Sequence, residues 1–226
     1  MALTGIDVTG RRLVIFDFDG TLANTIDGIV NTARRVMHAH GWDDDALGDM
    51  RRIVGPPFPG AFCEVYGVSP EEADKITAEY RAIHTTLGFK GWPLFDGMAD
   101  LLGDLRSAGK LTATATSRMT DTLERAVRDN DVEGLFDCLE GKRSDVGDDK
   151  DVIIARVLDR LGVDSSDAVM VGDRHYDVEA SAVHGIPCVG VTYGHTCPVS
   201  ELEDAGACSI ADSVEELRRV LLGKDA

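Results

Sequence analysis

The sequence predicts an α/β fold: a doubly wound parallel sheet of the Rossmann-like kind, with a helical segment inserted after its first strand. From about residue 95 onward, short apolar runs alternate with amphipathic helical stretches, which is typical of parallel sheets covered by helices. Before that point one apolar strand stands alone, followed by about 70 mostly helical residues. With 226 residues, 43% of them hydrophobic, the chain is long enough for a core and such an insertion.

The chain before residue 95 supplies one strand and two clear helices. Leu13–Phe16 is a short apolar run that predicts a buried strand. Apolar residues at helical spacing predict a helix over 26–40. A second helix is predicted over 70–88, because Ser69 can cap its N-terminus and Pro70 suits its first position. No strand is predicted between these helices.

Two parts of the chain follow from this organisation. We expect residues 1–22 and 94–226 to form the α/β core. We expect residues 23–93 to form a helical cap over it. In the cap, the stiff apolar segment Val54–Phe58 is predicted either to face a substrate or simply to connect two helices.

The second half of the chain supplies the remaining elements of the sheet. They are a helix capped by Asp96, a strand at Leu111–Thr116, a helix over 120–130, a polar stretch from Glu140 to Asp149, a helix from Lys150 to Leu161, a strand at Ala168–Val171, a helix, a strand at Pro187–Val191 and a last helix capped by Ser213.

Polar side chains follow three of the predicted strands. Asp17 and Asp19 come after the first, Thr116 and Ser117 end the second, and Asp173 follows a later one. In open α/β sheets, ligands bind beyond the carboxyl ends of the strands. In an extended chain Asp17 and Asp19 project to one side, where one carboxylate could act as nucleophile or metal ligand and the other as proton carrier. An ordinary acidic turn is the alternative.

Three further residues are candidates on weaker grounds. Gly20 lets the backbone turn close to a bound anion. Asp177 adds a second acid near Asp173, where hard oxygen ligands suit Mg²⁺, although a helix cap explains Asp177 equally well. Lys150 opens a helix, a position that favours negative charge, so its presence there indicates either a functional or a simple surface lysine.

Charge, cysteines and hydropathy exclude several classes of protein. The net charge of −17 argues against nucleic-acid binding, which needs a basic surface. The apolar runs are far too short for a membrane span, and the start of the chain lacks the pattern of a secretory signal. Five cysteines without a C-x-x-C pair favour free thiols in a reducing compartment. We therefore expect a cytoplasmic protein, as a monomer or small homo-oligomer.

Four segments, in this order, carry a resemblance to a known family. They are Asp17-Phe-Asp-Gly-Thr-Leu22, Thr116 within Ala115-Thr-Ser-Arg118, Lys150, and Gly172-Asp-Arg-His-Tyr-Asp177. The sequence resembles the haloacid dehalogenase superfamily of aspartate-nucleophile phosphohydrolases over essentially its whole length. It is most similar to the phosphoglycolate phosphatase-like branch.

The resemblance implies roles for the acidic residues. Asp17 would attack phosphorus, and Asp19 would protonate the leaving alcohol and then deprotonate the hydrolytic water. Mg²⁺ would be held by Asp17, the backbone carbonyl of Asp19, and Asp173. Asp177 would support the metal shell from behind.

The resemblance also implies a phosphate site and a class of substrate. Thr116 and Lys150 would hold the phosphoryl oxygens, with Gly20, Ser117 and Arg118 around them. Arg118 stands where the family often has lysine. The expected substrate is a small phosphomonoester, such as phosphoglycolate or a nucleoside 5′-monophosphate.

Two other functions stay open. A phosphomutase would need the same four segments. Phosphomutases of this type, however, resemble one another in a cap loop that has polar and basic residues after a glycine. Here Gly55 is followed by the apolar Pro56–Pro59, which favours hydrolysis. A non-catalytic binding relative should have lost one of the motif residues, and none is lost.

Overall fold

The computed structural model describes residues 5–223, which form a parallel six-stranded sheet flanked by helices. The strand order is β3-β2-β1-β4-β5-β6, and every neighbouring pair is parallel. The strands are β1 (Leu13–Phe16), β2 (Leu111–Met119), β3 (Cys138–Lys142), β4 (Ala168–Gly172), β5 (Cys188–Val191) and β6 (Ser209–Ala211). The predicted fold class is confirmed.

Ten α-helices accompany the strands within residues 5–223. They are α1 (Ile26–Ala39), α2 (Asp44–Leu47), α3 (Gly60–Tyr66), α4 (Pro70–His84), α5 (Met98–Ser107), α6 (Thr120–Asp129), α7 (Lys150–Leu161), α8 (His175–Val183), α9 (Val199–Ala205) and α10 (Val214–Leu222). None of the helices in this described range combines the length and apolar character that crossing a membrane requires.

Strand β1 occupies the position where the winding of the sheet changes direction. The chain moves from β1 to β2 and β3 on one side, and β4 to β6 lie on the other side. A crevice forms at such a switch point, outside the carboxyl ends of the strands. The residues that directly follow β1 therefore lie where a ligand is expected.

Two hydrophobic clusters cover the two faces of the sheet. Alternate residues of β1 belong to different clusters: Val14 and Phe16 pack into one, and Leu13 and Ile15 into the other. This alternation follows from the two-residue period of a strand. Because both faces are buried, the strand reads in sequence as a continuous apolar run.

The helical segment 23–93 has a hydrophobic cluster of its own. All of its buried members lie between Ile29 and Tyr80, on helices α1 to α4 and the turns between them. The segment begins and ends at one place, because Asn24 N donates to Pro93 O at 2.8 Å and Ala23 forms a bridge with Leu94.

The stretch Glu140–Asp149, predicted as merely polar, contains part of a strand. The first three of its residues belong to β3, which pairs with β2. Glu140 is 1% exposed, and its carboxylate accepts hydrogen bonds from Arg143, Arg156 and Arg160. Because these arginines pair with Glu140, a charged residue can be buried in the sheet. The sequence of β3 is therefore not a continuous apolar run.

Other boundaries differ from the predicted ones. Asp96 does not cap α5; the helix starts after Gly97, which has a φ of +80° and offers no side-chain cap. Helix α4 ends at His84 rather than at residue 88. Strand β2 runs on to Met119 because it pairs with β3 again after a register shift. Helix α9 and strand β6 were not predicted.

Candidate active site

Asp17 stands at the carboxyl end of the central strand. Its backbone N–H donates to Val171 O at 2.9 Å, so the pairing of β1 with β4 continues one residue beyond the strand. The residue is only 5% exposed. Asp173 and Asp177, from the end of β4 and the start of α8, are buried beside it. The sheet thus brings together three acids that are up to 160 residues apart in sequence.

The three acids form a compact cluster. One carboxylate oxygen from each of Asp17, Asp173 and Asp177 lies within 4.8 Å of the others. Asp17 Oδ1 and Asp173 Oδ2 are buried and have no hydrogen-bond partner among residues 5–223. Burial, and then the charge of the neighbouring acids, raises the pKa of Asp17 to about 6 and that of Asp173 well above its usual value. Unpaired hard oxygens in this arrangement fit a divalent cation such as Mg²⁺.

Lys150 supplies positive charge to the same cluster. Its Nζ donates to Asp177 Oδ1 at 2.6 Å and lies 3.2 Å from Asp17 Oδ1, an ion-pair distance without hydrogen-bond alignment. Burial opposes the charged form of the lysine, but Asp17 and Asp177 outweigh it and hold the pKa of Lys150 above its usual value. The ammonium therefore stays charged beside Oδ1 of Asp17.

Two glycines allow the acids to approach the backbone. A Cβ atom on Gly20 would lie 2.3 Å from Asp173 Oδ2, and the φ of Gly20 is +82°. A Cβ atom on Gly172 would lie 2.2 Å from Asp177 Cγ. Any side chain at either position would displace a carboxylate, so the glycines are required by the packing of the acidic cluster.

Asp19 is held by Arg118. The guanidinium donates through Nη2 to Asp19 Oδ1, and through Nε to Oδ2 at 3.2 Å. Burial opposes ionisation of the carboxyl, but Arg118 outweighs it and holds the pKa of Asp19 below its usual value. The guanidinium carbon also lies 5.2 Å from the ring centroid of Phe18 and 5.5 Å from that of Trp92.

Thr116 and Ser117 lie beside the acids, on the neighbouring strand β2. Thr116 is 1% exposed, and its Oγ1 accepts from the backbone N–H of Arg118 at 3.3 Å. Ser117 is half-buried and faces the cavity that opens above Asp17. The structure therefore gathers the predicted site residues at one edge of the sheet.

A cavity of about 110 Å³ lies between this edge and the helical segment 23–93. From the α/β part it is lined by Asp17, Asp19, Thr116, Ser117, Arg118, Met119 and Thr122. From the helical segment it is lined by Ile29, Ile53, Val54, Gly55, Pro56, Pro57, Phe58, Tyr80, Arg81, His84 and Thr85. The whole segment Val54–Phe58 thus lies opposite Asp17.

Sequence reasoning missed the residues that α4 contributes to this cavity. Tyr80 and His84 are four residues apart and share one face of the helix. The ring stacking between them, at 5.0 Å, aligns both with the cavity wall. A histidine on the apolar face of a helix was the available signal, but it could not show which surface the helix covers.

Two contacts join the helical segment to the α/β part around the cavity. Arg81 on α4 forms a two-pronged hydrogen bond with Asp145, at 2.9 and 2.7 Å. Arg174, before α8, donates to the backbone carbonyl of Val54 and, at 2.8 Å, to Glu201. These contacts hold the segment against the site.

Comparison with known proteins gives the same family as the four motifs. Residues 14–191 match the family model described as haloacid dehalogenase-like hydrolase. The chain is 35% identical to the tyrosine-protein kinase PtkA of Mycobacterium tuberculosis, over 93% of this chain and 72% of that protein. It is 28% identical to a 5′-nucleotidase of Pseudomonas aeruginosa, over 80% of this chain and 82% of that protein.

A solved structure agrees in fold. A protein described as a predicted phosphatase from Clostridium acetobutylicum superposes with a TM-score of 0.86 at 31% identity, covering 92% of this chain and 97% of that one. The resemblance inferred from the motifs is therefore confirmed. The chain belongs to the haloacid dehalogenase-like hydrolase family, as an enzyme of its phosphatase group.

Proposed function

We propose that the protein is a Mg²⁺-dependent phosphatase that hydrolyses a small phosphomonoester through an aspartyl-phosphate on Asp17. The observation that carries this proposal is the buried carboxylate of Asp17 at the end of β1, whose Oδ1 has no hydrogen-bond partner among residues 5–223 and lies 3.2 Å from Lys150 Nζ. A buried carboxylate with an oxygen free of hydrogen bonds can present one oxygen to phosphorus and the other to a cation.

The reaction divides into two displacements at phosphorus. First, a carboxylate oxygen of Asp17 forms a bond to phosphorus while the bond to the leaving alcohol breaks, and Asp19 gives the alcohol its proton. Then water attacks phosphorus, Asp19 takes its proton, and inorganic phosphate leaves Asp17. Lys150 and Thr116 offset the charge that develops on the phosphoryl oxygens.

Arg118 governs the protonation of Asp19 in this scheme. With Arg118 on both of its oxygens, Asp19 is ionised, which suits a base but not an acid. Phosphoryl oxygens of the substrate compete for the same guanidinium. Transfer of Arg118 to the phosphoryl group would raise the pKa of Asp19 and let it carry the proton that the leaving alcohol needs.

Mg²⁺ fits the acidic cluster, since two of its buried oxygens lack hydrogen-bond partners in the described part of the chain and Gly20 leaves room beside Asp173. Asp17, Asp173 and the backbone carbonyl of Asp19 would hold the ion, with Asp177 behind them. When bound, it would neutralise charge on the phosphoryl group. Asp177 keeps Lys150 in place in either case.

We also propose that residues 1–22 and 94–226 form the catalytic core and residues 23–93 the cap that selects the substrate. The separate hydrophobic cluster of the cap supports this division. All five cysteines are free, in agreement with a cytoplasmic location. The charge of −17 disfavours nucleic acid as a partner, and a monomer or small homo-oligomer suffices because one chain supplies the whole cluster.

The test is phosphate release across a panel of phosphomonoesters, including phosphoglycolate and nucleoside 5′-monophosphates, with Mg²⁺ or with excess chelator. Hydrolysis that requires Mg²⁺, together with an acid-stable phosphoryl group on wild-type protein but not on Asp17→Asn, is the expected result. Turnover in chelator, or a labelled residue other than Asp17, would contradict the proposal. Transfer of the phosphoryl group to another hydroxyl of the same sugar would indicate a phosphomutase instead.

The 35% identity to a protein named a tyrosine kinase favours a second candidate, phosphoryl transfer to tyrosine. Such a transfer would use the same acceptor oxygen on Asp17 and replace water by a phenol. Incubation with γ-labelled ATP and immunodetection of phosphotyrosine separates the two. Phosphotyrosine that forms in wild-type protein and not in Asp17→Asn would support the kinase.

A further inference from the structure

His84 is a buried polar side chain of the cavity wall that the proposed reaction does not use. It lies at the end of α4, is 3% exposed, and its Nε2 has no hydrogen-bond partner among residues 5–223. Its ring is held between Tyr80, at 5.0 Å, and Trp92, at 5.6 Å. A buried nitrogen without a partner, fixed in orientation beside a ligand cavity, indicates a partner that arrives with the ligand.

The imidazole is uncharged at neutral pH. Burial, reinforced by the nearby positive charge of Arg118, lowers the pKa of His84 to about 4. His84 therefore offers a hydrogen bond to a ligand but no compensation for a negative charge.

The cations of the cavity wall are already paired. Arg118 binds Asp19, and Arg81 binds Asp145. If Arg118 moves to the phosphoryl group, as proposed above, it is still not free for the rest of the substrate. An anionic group in the outer part of the cavity would therefore lose its hydration without gaining an ion pair, which is costly.

Apart from Arg81 and Thr85, the rest of the cavity wall on the helical segment is apolar and partly aromatic. Ile29, Ile53 and Val54 line it together with Phe58 and Tyr80, whose rings pack edge to face at 4.9 Å. Surfaces of this kind favour flat apolar groups over small polar ones.

We infer that the substrate of this site is the phosphomonoester of an uncharged alcohol with an aromatic body, and that a polar group on this body binds the imidazole of His84. The inference rests on the proposed phosphatase function and narrows its substrate class. It places esters with a carboxylate in the leaving group, such as phosphoglycolate, among the poor substrates.

The test compares kcat/KM of the 226-residue chain, with Mg²⁺, on three aryl phosphates: phenyl phosphate, 4-carbamoylphenyl phosphate and 4-carboxyphenyl phosphate. The last two have similar size but differ in charge. We expect kcat/KM for the carbamoyl ester to exceed that for the carboxyl ester by about tenfold or more, because a buried polar group discriminates strongly. Phosphoglycolate and its uncharged amide form a second pair with the same expected order.

Two variants test His84 itself. His84→Phe keeps an aromatic ring but removes the polar atom, and it should lower kcat/KM for the carbamoyl ester by about tenfold while phenyl phosphate loses less. His84→Gln, which keeps a hydrogen-bonding group, should retain more of the preference. His38→Phe is the matched control, because His38 lies on α1 with a side chain that is 43% exposed and outside the cavity.

The outcomes are distinct. Equal rates on the carbamoyl and carboxyl esters, or equal losses on all three esters in His84→Phe, would overturn this inference and leave the phosphatase in place. Absence of hydrolysis of every phosphomonoester in the panel by the wild-type protein would overturn the proposed function, and the inference with it. Circular dichroism of each variant shows that a changed preference belongs to a folded protein.

Discussion

Asp17 and Asp173 mark a ligand site because each is a buried acid with an incomplete set of hydrogen bonds. Both are buried, and each has an oxygen without a hydrogen bond among the residues that the structure describes. A protein core tolerates such groups when a ligand completes them. Lys150 completes the cluster only in part, since it hydrogen-bonds Asp177 and lies near Asp17 without alignment.

Replacement of Asp17 separates its chemical role from its effect on stability. Asp17→Asn should lower kcat by about 10³-fold or more, because the amide cannot form the phosphoenzyme. Since the folded pKa of about 6 exceeds the ordinary value of 3.8, the stability contributed by Asp17 is present below pH 3.8 and lost as the pH rises through 6. Without metal, the variant should therefore unfold at a higher temperature than wild type at pH 7.5, by an amount that shrinks toward pH 4.

Scanning calorimetry and phosphate release measure both effects on one preparation. Retention of a tenth of the activity would exclude Asp17 as the nucleophile. A lower unfolding temperature at pH 7.5 would contradict its raised pKa.

Asp19 should matter most where the leaving group is poor. Asp19→Asn removes the proton that an alkoxide requires, so kcat on an alkyl phosphate should fall by about 10²-fold to 10³-fold. On an aryl phosphate with an acidic phenol the fall should be much smaller. Steady-state kinetics on both esters measure this difference. An equal loss of kcat on the alkyl and the aryl phosphate would assign Asp19 to the metal site or to the anchoring of Arg118.

The sequence was sufficient to find the residues at the strand ends but not those across the cavity. Asp17, Thr116 and Asp173 each follow an apolar or β-rich run, so their common position follows from the rules of parallel sheets. His84 and Tyr80 reach the site only through the way the helical segment packs on the sheet, which no local pattern records.

Among the elements, the strands buried by apolar residues alone were predictable. Strand β1 and strand β4 are continuous apolar runs, since helices cover both their faces. Strand β3 carries Glu140 and Lys142, and its burial depends on arginines of α7 that follow 16 and 20 residues after Glu140. A pattern of hydrophobicity within the strand could not show these partners.

Strand β3 therefore depends on one carboxylate for its stability. Burial opposes the ionisation of Glu140, but Arg160 and Arg156 outweigh it and hold its pKa below the ordinary value of 4.5. Glu140→Gln removes the charge that the three arginines share, and it should lower the free energy of unfolding at pH 7 by about 1–2 kcal/mol, because Arg143 and Arg160 are more than half exposed and Arg156 keeps Asp148. The exposed Glu133→Gln is the matched control and should change little.

The pH dependence of unfolding tests the direction of the pKa shift of Glu140. Because the folded pKa is lowered, the stability from Glu140 is present above pH 4.5 and lost as the pH falls through the folded pKa. The difference between wild type and Glu140→Gln should therefore shrink in acid. Urea unfolding at pH 7 and pH 3 measures it, and a constant difference would show that the lost contacts are not electrostatic.

At the scale of the whole molecule, a negatively charged chain must bind a negatively charged substrate. The net charge is −17, and the site contains four acidic side chains but only two basic ones, Lys150 and Arg118. A divalent cation would offset this imbalance locally. Metal binding should for that reason be visible in the stability of the protein as well as in catalysis.

Mg²⁺ should raise the unfolding temperature of the wild-type protein. At a concentration one hundred times its dissociation constant it would add about 2.7 kcal/mol, which corresponds to a rise of about 5 °C or more in a chain of this size. Asp173→Asn should lose most of this rise. Differential scanning fluorimetry against NaCl of equal ionic strength is the measurement, and an equal rise with NaCl would contradict a specific site.

Arg81 and Asp145 join the helical segment to the α/β part through a half-exposed ion pair. Arg81→Gln and Asp145→Asn should each raise KM by about twofold to fivefold, because such pairs contribute up to about 1 kcal/mol. The double variant should show no further loss.

Lys75→Gln is the matched control, since Lys75 forms an exposed pair with Glu71 within α4 alone. Initial rates at low and high salt complete the test. Additive effects of the two substitutions would mean that the residues act on the substrate separately and that the pair does not close the site.

Trp92 gives the protein an optical signal of its own. Its indole is fully buried, with Arg118 on one side and His84 on another, and its Nε1 donates to Asp129 at 3.1 Å. Indole emission responds to nearby charge, so release of Arg118 from Asp19 should change its intensity. The other tryptophan, Trp42, packs against Tyr66 in the helical segment, and Trp42→Phe would leave a single tryptophan. Stopped-flow fluorescence of that variant would then time the movement of Arg118 without any attached dye.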